Sequence, residues 1–194
     1  MMLRPWKVLG REKRGSYKVL DITVERAVSP RTEKEHEFVV LNTPTWVNIV
    51  PITKDGRVVM VRQYRHGIKD FTLEIPGGLV EDPDSPLEAA LRELREETGY
   101  KVRRILECGY VHPNPAIFDN RCHTFVGLEA EKVGEQSQDE KEDIEVELIP
   151  LDEIPRLIRE GRITHALVIA AFYRVFVELK GIGSSHRNNS LALG

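Results

Sequence analysis

The sequence has little that would set it apart from ordinary soluble proteins. It holds only two cysteines, Cys108 and Cys122, too few for a disulfide framework and without metal-ligand spacing. Both read as reduced packing residues, which fits a cytoplasmic setting. No apolar run approaches the ~20 residues that span a bilayer. The opening Met-Met-Leu-Arg-Pro-Trp-Lys lacks the apolar core of a signal peptide, so none is expected. An excess of charge of one sign is also missing: 28 Lys and Arg stand against 31 Asp and Glu, a formal net charge of −3. That balance excludes a general attraction to nucleic acid or to an anionic membrane. A polyanionic substrate would need a local device, such as a metal ion or a placed arginine.

What is present suits one sizeable core. The 194 residues are 41% hydrophobic and 30% charged, the balance of a globular domain. No repeat or linker divides them. From Tyr17 to Tyr64 the chain reads as strands, with β-forming runs at residues 17–28, 38–41, 46–52 and 57–64. Asp55-Gly56 between the last two runs is a hairpin signal. Further strands are expected at 102–111, 121–128 and 143–149, with the polar, acidic stretch 129–142 as a mobile loop. Helices are expected at 152–160 and from His165, capped by Thr164, to about Leu179. The Gly-, Ser- and Asn-rich residues 181–194 read as a disordered tail. The fold class expected is α+β, with helices laid on sheets.

The clearest element is a helix over Pro86 to Thr98. Ser85 is its N-cap, Pro86 suits the first helical position, and Glu88 completes a capping box. Leu87, Leu91, Leu94 and Thr98 recur at helical spacing, and Gly99 is a natural stop. On this helix Glu93, Glu96 and Glu97 share one side. Like charges so close repel unless a cation sits among them, and clustered hard oxygens suit Mg²⁺ or Mn²⁺. The plainer alternative is a solvated face with Arg92 and Glu96 as an ordinary pair four apart. Against it stands Glu74-Ile75-Pro76-Gly77-Gly78-Leu79, a glycine turn just before the helix where backbone can approach a ligand closely.

Gly78 to Tyr100, GLVEDPDSPLEAALRELREETGY, resembles the Nudix box. Gly78, Arg92, Glu93, Leu94, Glu96, Glu97, Gly99 and Tyr100 all fall in register with it; Asp84 stands where the family has Glu. Asp84 is one methylene shorter and is not counted as a metal ligand. Val61-Arg62-Gln63-Tyr64-Arg65, the Glu74 to Gly78 segment and Pro115 are similar to the ADP-ribose pyrophosphatase branch, which cuts nucleoside diphosphate sugars. Most of that branch continues with Gly and later Glu; this chain has Ala116 and Asn120.

The resemblance implies a Nudix-type mixed-sheet α/β/α sandwich with an N-terminal antiparallel strand-rich extension. Residues 1–180 would form a single domain, with 1–50 serving dimerisation and 51–180 as catalytic core. It implies metal held by Glu93, Glu96, Glu97 and the Gly77 carbonyl, and a Glu on the loop before a late strand as general base or further metal ligand. Glu142 is the first choice for that base and Glu140 the second. Arg65 becomes the phosphate contact and Arg62, on the other strand face, a structural residue. Glu74 either binds substrate or anchors the glycine turn. Asn120 falls where the branch carries a sugar-side carboxylate. The reaction implied is attack by water on one phosphorus of a P–O–P bridge, giving AMP and ribose 5-phosphate from ADP-ribose, in a cytoplasmic homodimer that uses Mg²⁺ or Mn²⁺. Another Nudix activity and a catalytically silent ADP-ribose-binding module are the competing readings; the intact acidic triplet argues against the silent one.

Overall fold

A computed structural model describes residues 2–138 and 143–188. Among these, no helix is long and apolar enough to cross a membrane. The chain divides into two compact units. One comprises the residues up to Thr45 together with His112–Arg121, the other Trp46–Val111 together with the chain from Cys122. The division expected at residue 50 thus falls inside a strand of the second unit.

The first unit carries an antiparallel sheet of β1 (Lys7–Tyr17), β2 (Leu20–Val28) and β3 (Glu35–Asn42), in that order. β1 is absent from the sequence expectation because it is mostly exposed and its few apolar residues, such as the adjacent Val8 and Leu9, do not alternate, so it shows no period-2 hydrophobic signal. Cross-strand pairs hold it instead, including Arg11 with Glu25 and Lys13 with Asp21, each at 2.7 Å. Trp6 packs edge-on against Phe38, ring centres 5.1 Å apart.

The second unit is built on a mixed sheet. Its strands are β4 (Trp46–Thr53), β5 (Arg57–Arg65), β6 (Asp70–Glu74), β7 (Gly77–Leu79), β8 (Tyr100–Lys101), β9 (Arg104–Val111), β10 (Cys122–Lys132) and β11 (Ile144–Pro150). The order is β11-β5-β4-β10-β8, with β6 beside β5, β7 beside β4 and β9 beside β10. β4 and β10 run parallel at the centre. The expected hairpin joins β4 to β5, with Gly56 at φ 79°.

Alternation along the central strands creates two cores. Val47 and Ile49 of β4 and Phe125 of β10 face Ala89, Ala90 and Leu94 of helix α1 (Pro86–Thr98). Val50, Ile52 and Val126 face the opposite way, among Val168, Ala171, Phe172 and Val175 of α3 (Ala166–Asn188) and Leu157 of α2 (Ile154–Arg159). Helices therefore cover both faces of one sheet, an α/β/α layering that buries each apolar row.

Three expectations need correction. β10 runs on to Lys132, four residues into the stretch read as a loop. It does so across an irregularity between Leu128 and Ala130, where Glu129 adopts φ 56°; an extra residue in one strand interrupts alternation without ending the pairing. α3 begins at Ala166, with His165 rather than Thr164 accepting at its start, Leu167 N–H to His165 Nδ1 at 3.2 Å. It continues to Asn188, past Gly181 and Gly183. Glycine costs a helix about 1 kcal/mol against alanine, and propagation of an existing helix tolerates that.

Candidate active site

Helix α1 is set by its ends. Ser85 Oγ accepts from Glu88 N–H at 3.3 Å, and the Glu88 carboxylate accepts from Ser85 N–H at 2.8 Å. At the other end Gly99, at φ 73°, donates to Arg95 O at 2.8 Å. That left-handed conformation, and a Cβ position that would fall on the carbonyl of Gly134, make glycine the residue that fits here.

The structure sets Glu93 and Glu97 against the glycine turn, while Glu96, on the same helix, is held by Arg92 at 3.1 Å. Glu97 is buried, 3% exposed, and accepts from Gly77 N–H at 3.1 Å. Glu93 lies against Gly78, where an added Cβ would overlap its carboxylate. A Cβ on Gly77 would instead strike backbone, the Val47 carbonyl. Both glycines thus make a close approach, Gly77 to the backbone of strand β4 and Gly78 to a carboxylate.

Arg92 is the charge partner of this side. It donates to Glu93 at 3.0 Å, Glu96 at 3.1 Å, Asp84 at 3.0 Å and the Leu79 carbonyl at 3.2 Å. Burial pulls its pKa down, but the three carboxylates raise it by more, so the guanidinium stays charged. Asp84 spends its carboxylate on this arginine. Among the described residues, no three acidic, His or Cys side chains converge closely enough to form a ready metal cage. The donor types nevertheless fit a hard divalent cation: Glu93, Glu96 and Glu97 lie along one helix, two of them against a turn that leaves no room for side-chain bulk. Here Arg92 supplies the positive charge that Glu93 and Glu96 require.

Arg65 and Glu74 form a second constellation. Arg65 Nε and a terminal nitrogen each donate to the Glu74 carboxylate at 2.7 Å, a bidentate pair. Thr72 Oγ1 donates to the same carboxylate at 2.5 Å, and His165 Nε2 lies 4.0 Å away. Burial pushes the Glu74 pKa up; the Arg65 hydrogen bonds and charge, Thr72 and His165 together outweigh it, so Glu74 sits below the ordinary carboxylate range. Arg62, on the opposite face, pairs with Glu147 of β11 at 2.5 Å.

Asn120 lies in the first unit. Its amide donates to Pro44 O at 3.0 Å, while its buried Oδ1 has no hydrogen-bond partner among the described residues. Glu140 and Glu142 lie outside the described residues. Two features escaped the sequence. Arg92 serves three carboxylates rather than Glu96 alone, which the Asp84 spacing hints at only once the helix start is known. Gln136 contacts the end of α1, donating to Glu97 O at 2.6 Å; a lone glutamine in a polar stretch carries no such signal.

The NUDIX domain matches residues 42–172. An ADP-ribose pyrophosphatase of Bacillus subtilis is 30% identical over 161 residues, covering 82% of this chain and 86% of that one. A methanol dehydrogenase activator of Bacillus methanolicus is 30% identical over 167 residues, 85% of this chain and 89% of that one. The crystal structure of an ADP compounds hydrolase superposes with a TM-score of 0.83 at 23% identity, over 94% of this chain and 98% of that one, a likeness of fold. With the box glycine pressed on Glu93, the acidic triplet on α1 and the match spanning both, this chain belongs to the Nudix family.

Proposed function

We propose that this protein hydrolyses the diphosphate of ADP-ribose or a related nucleoside diphosphate sugar, with Mg²⁺ or Mn²⁺ as cofactor. The observation that carries the proposal is the packing of Glu93 and Glu97 against the Gly77-Gly78 turn, an acidic surface approached closely by backbone. The name of the Bacillus subtilis relative supports the substrate class.

Glu93, Glu96, Glu97 and the Gly77 carbonyl would hold the metal, which supplies charge neutralisation on phosphate oxygens and activation of water. The chain's own groups do the rest. Glu142, or Glu140, takes the proton from the attacking water as its oxygen bonds to phosphorus and the bridging P–O bond breaks. The bridge electrons leave with the departing phosphate, so ADP-ribose yields AMP and ribose 5-phosphate. Arg65, held by Glu74 on one edge and 43% exposed, presents its outer edge to a phosphate. In this reading Glu74 is an anchor and contacts no substrate. Asn120 is assigned as the acceptor for a sugar hydroxyl. The active form is a homodimer built through the three-stranded sheet, in the cytoplasm.

The test is kcat/KM across ADP-ribose, ADP-glucose, UDP-glucose and ATP, read by phosphatase-coupled phosphate release with Mg²⁺ and again with EDTA. Turnover of the diphosphate sugars is expected with metal and none without it, and the neutral Asn120 predicts a range beyond ADP-ribose alone. Preference for ATP, or full activity in EDTA, would overturn the proposal.

A further inference from the structure

The backbone after β10 lies back against the end of α1. Gly99 O accepts from Val133 N–H at 2.9 Å and from Gly134 N–H at 3.2 Å, and Glu96 O accepts from Ser137 N–H at 2.8 Å. Glu97 O accepts from the side-chain amide of Gln136 at 2.6 Å. The last carbonyls of a helix have no partner within it. Here two of them belong to the residues whose side chains are the proposed metal ligands.

Gln136 uses the same amide nitrogen to donate to Ile144 O at 3.0 Å. Gln138 completes the arrangement, donating to Ile144 O at 2.8 Å and accepting from Ile144 N–H at 3.1 Å. One glutamine therefore stands in for a strand neighbour of Ile144, the first residue of β11. The other ties that residue to helix α1.

We infer that Gln136 is a positioning residue: it fixes the last turn of α1, with Glu96 and Glu97, relative to the start of β11. The inference rests on the metal-dependent reaction proposed above. Helix ends fray, and two carboxylates carried on a fraying turn would lose the geometry a divalent cation demands. The choice of amide matters as well. Lys and Arg are common partners for the last carbonyls of a helix, but a cation there would draw Glu96 and Glu97 toward itself. A neutral amide satisfies the carbonyls and adds no charge.

The test compares Gln136→Leu and Gln138→Leu with the parent protein. Mn²⁺ binding to substrate-free protein is followed by electron paramagnetic resonance, and kcat and KM for ADP-ribose are measured alongside. Gln136→Leu is expected to weaken Mn²⁺ binding and to lower kcat, each about tenfold, with KM within about threefold, since small displacements of a positioned group are costly. Gln138→Leu keeps the Gln136–Glu97 bond and should bind Mn²⁺ like the parent. Should Gln136→Leu fail to fold, Gln136→Asn, one methylene short of Glu97 O, carries the same expectation. Parent-like Mn²⁺ affinity in the Gln136 variant, or equal weakening in both variants, would overturn the positioning role. A parent that binds Mn²⁺ but leaves ADP-ribose intact removes the substrate assignment alone; the Mn²⁺ comparison still decides for or against Gln136. A parent that binds no Mn²⁺ removes both.

Discussion

The backbone N–H of Gly77 donates to the Glu97 carboxylate across 3.1 Å, joining residues twenty apart in the chain. The glycine turn and the last turn of α1 are thereby one structural piece. Glu97 is held from two sides, its side chain by Gly77 and its carbonyl by Gln136.

Glu97→Gln should lower kcat by on the order of a thousandfold while the protein stays folded. An amide is close in size to the carboxylate but loses the charge that counts in the transition state. Steady-state kinetics with saturating Mg²⁺ and a thermal melt decide this. Normal turnover would end the metal assignment.

Gly78 and Gly77 should respond differently to a methyl group. At Gly78 the added Cβ meets the end of a flexible glutamate, at Gly77 it meets backbone. Gly78→Ala is expected to keep its melting temperature within a few degrees and to lose about tenfold or more in kcat as Glu93 swings aside. Gly77→Ala should cost about 1–3 kcal/mol of stability, the range of overpacking. Denaturant titration beside kinetics separates the two.

Arg65→Met leaves Glu74 buried without its bidentate partner. Breaking such a pair costs about 3–5 kcal/mol, reduced here because Arg65 is partly exposed. The double variant Arg65→Met/Glu74→Leu should recover part of the loss. The pH dependence carries a definite sign. Glu74 binds its proton more weakly folded than unfolded, so its contribution is complete above its ordinary pKa of 4.5 and is lost as pH falls through the lower folded value. Urea midpoints measured from pH 6 downward should fall less steeply in Arg65→Met than in the parent.

Phe38 of the three-stranded sheet and Trp6, which packs on it, are 41% and 44% exposed, an apolar pair that a monomer would leave in water. Light scattering at micromolar concentration is expected to give about twice the chain mass, and Phe38→Glu to lower it toward the monomer. A parent that scatters as a monomer would refute the dimer.

Where local chemistry decided the structure, the sequence was readable. The Ser85–Glu88 box and Gly99 bound α1 at both ends, and strand alternation separated Arg62 from Arg65, each of which found its own partner. Where the deciding contact lay far along the chain, the signal was missing. β1 is mostly exposed and held by its neighbours. Gln136 reaches Glu97 thirty-nine residues away. Nothing in the strand of Arg65 foretells that two of its nitrogens are committed to Glu74.

Ala89 and Ala90 are fully buried where α1 meets the sheet. Side chains this small let the helix axis come close, and its 13 residues form one continuous hydrogen-bonded rod. A bulkier residue at either position would therefore act as a shim. It would lift the rod and carry all three carboxylates with it, in register with one another but out of line with the glycine turn. An error made in the hydrocarbon layer, with no polar group touched, would reach the reaction centre undiminished.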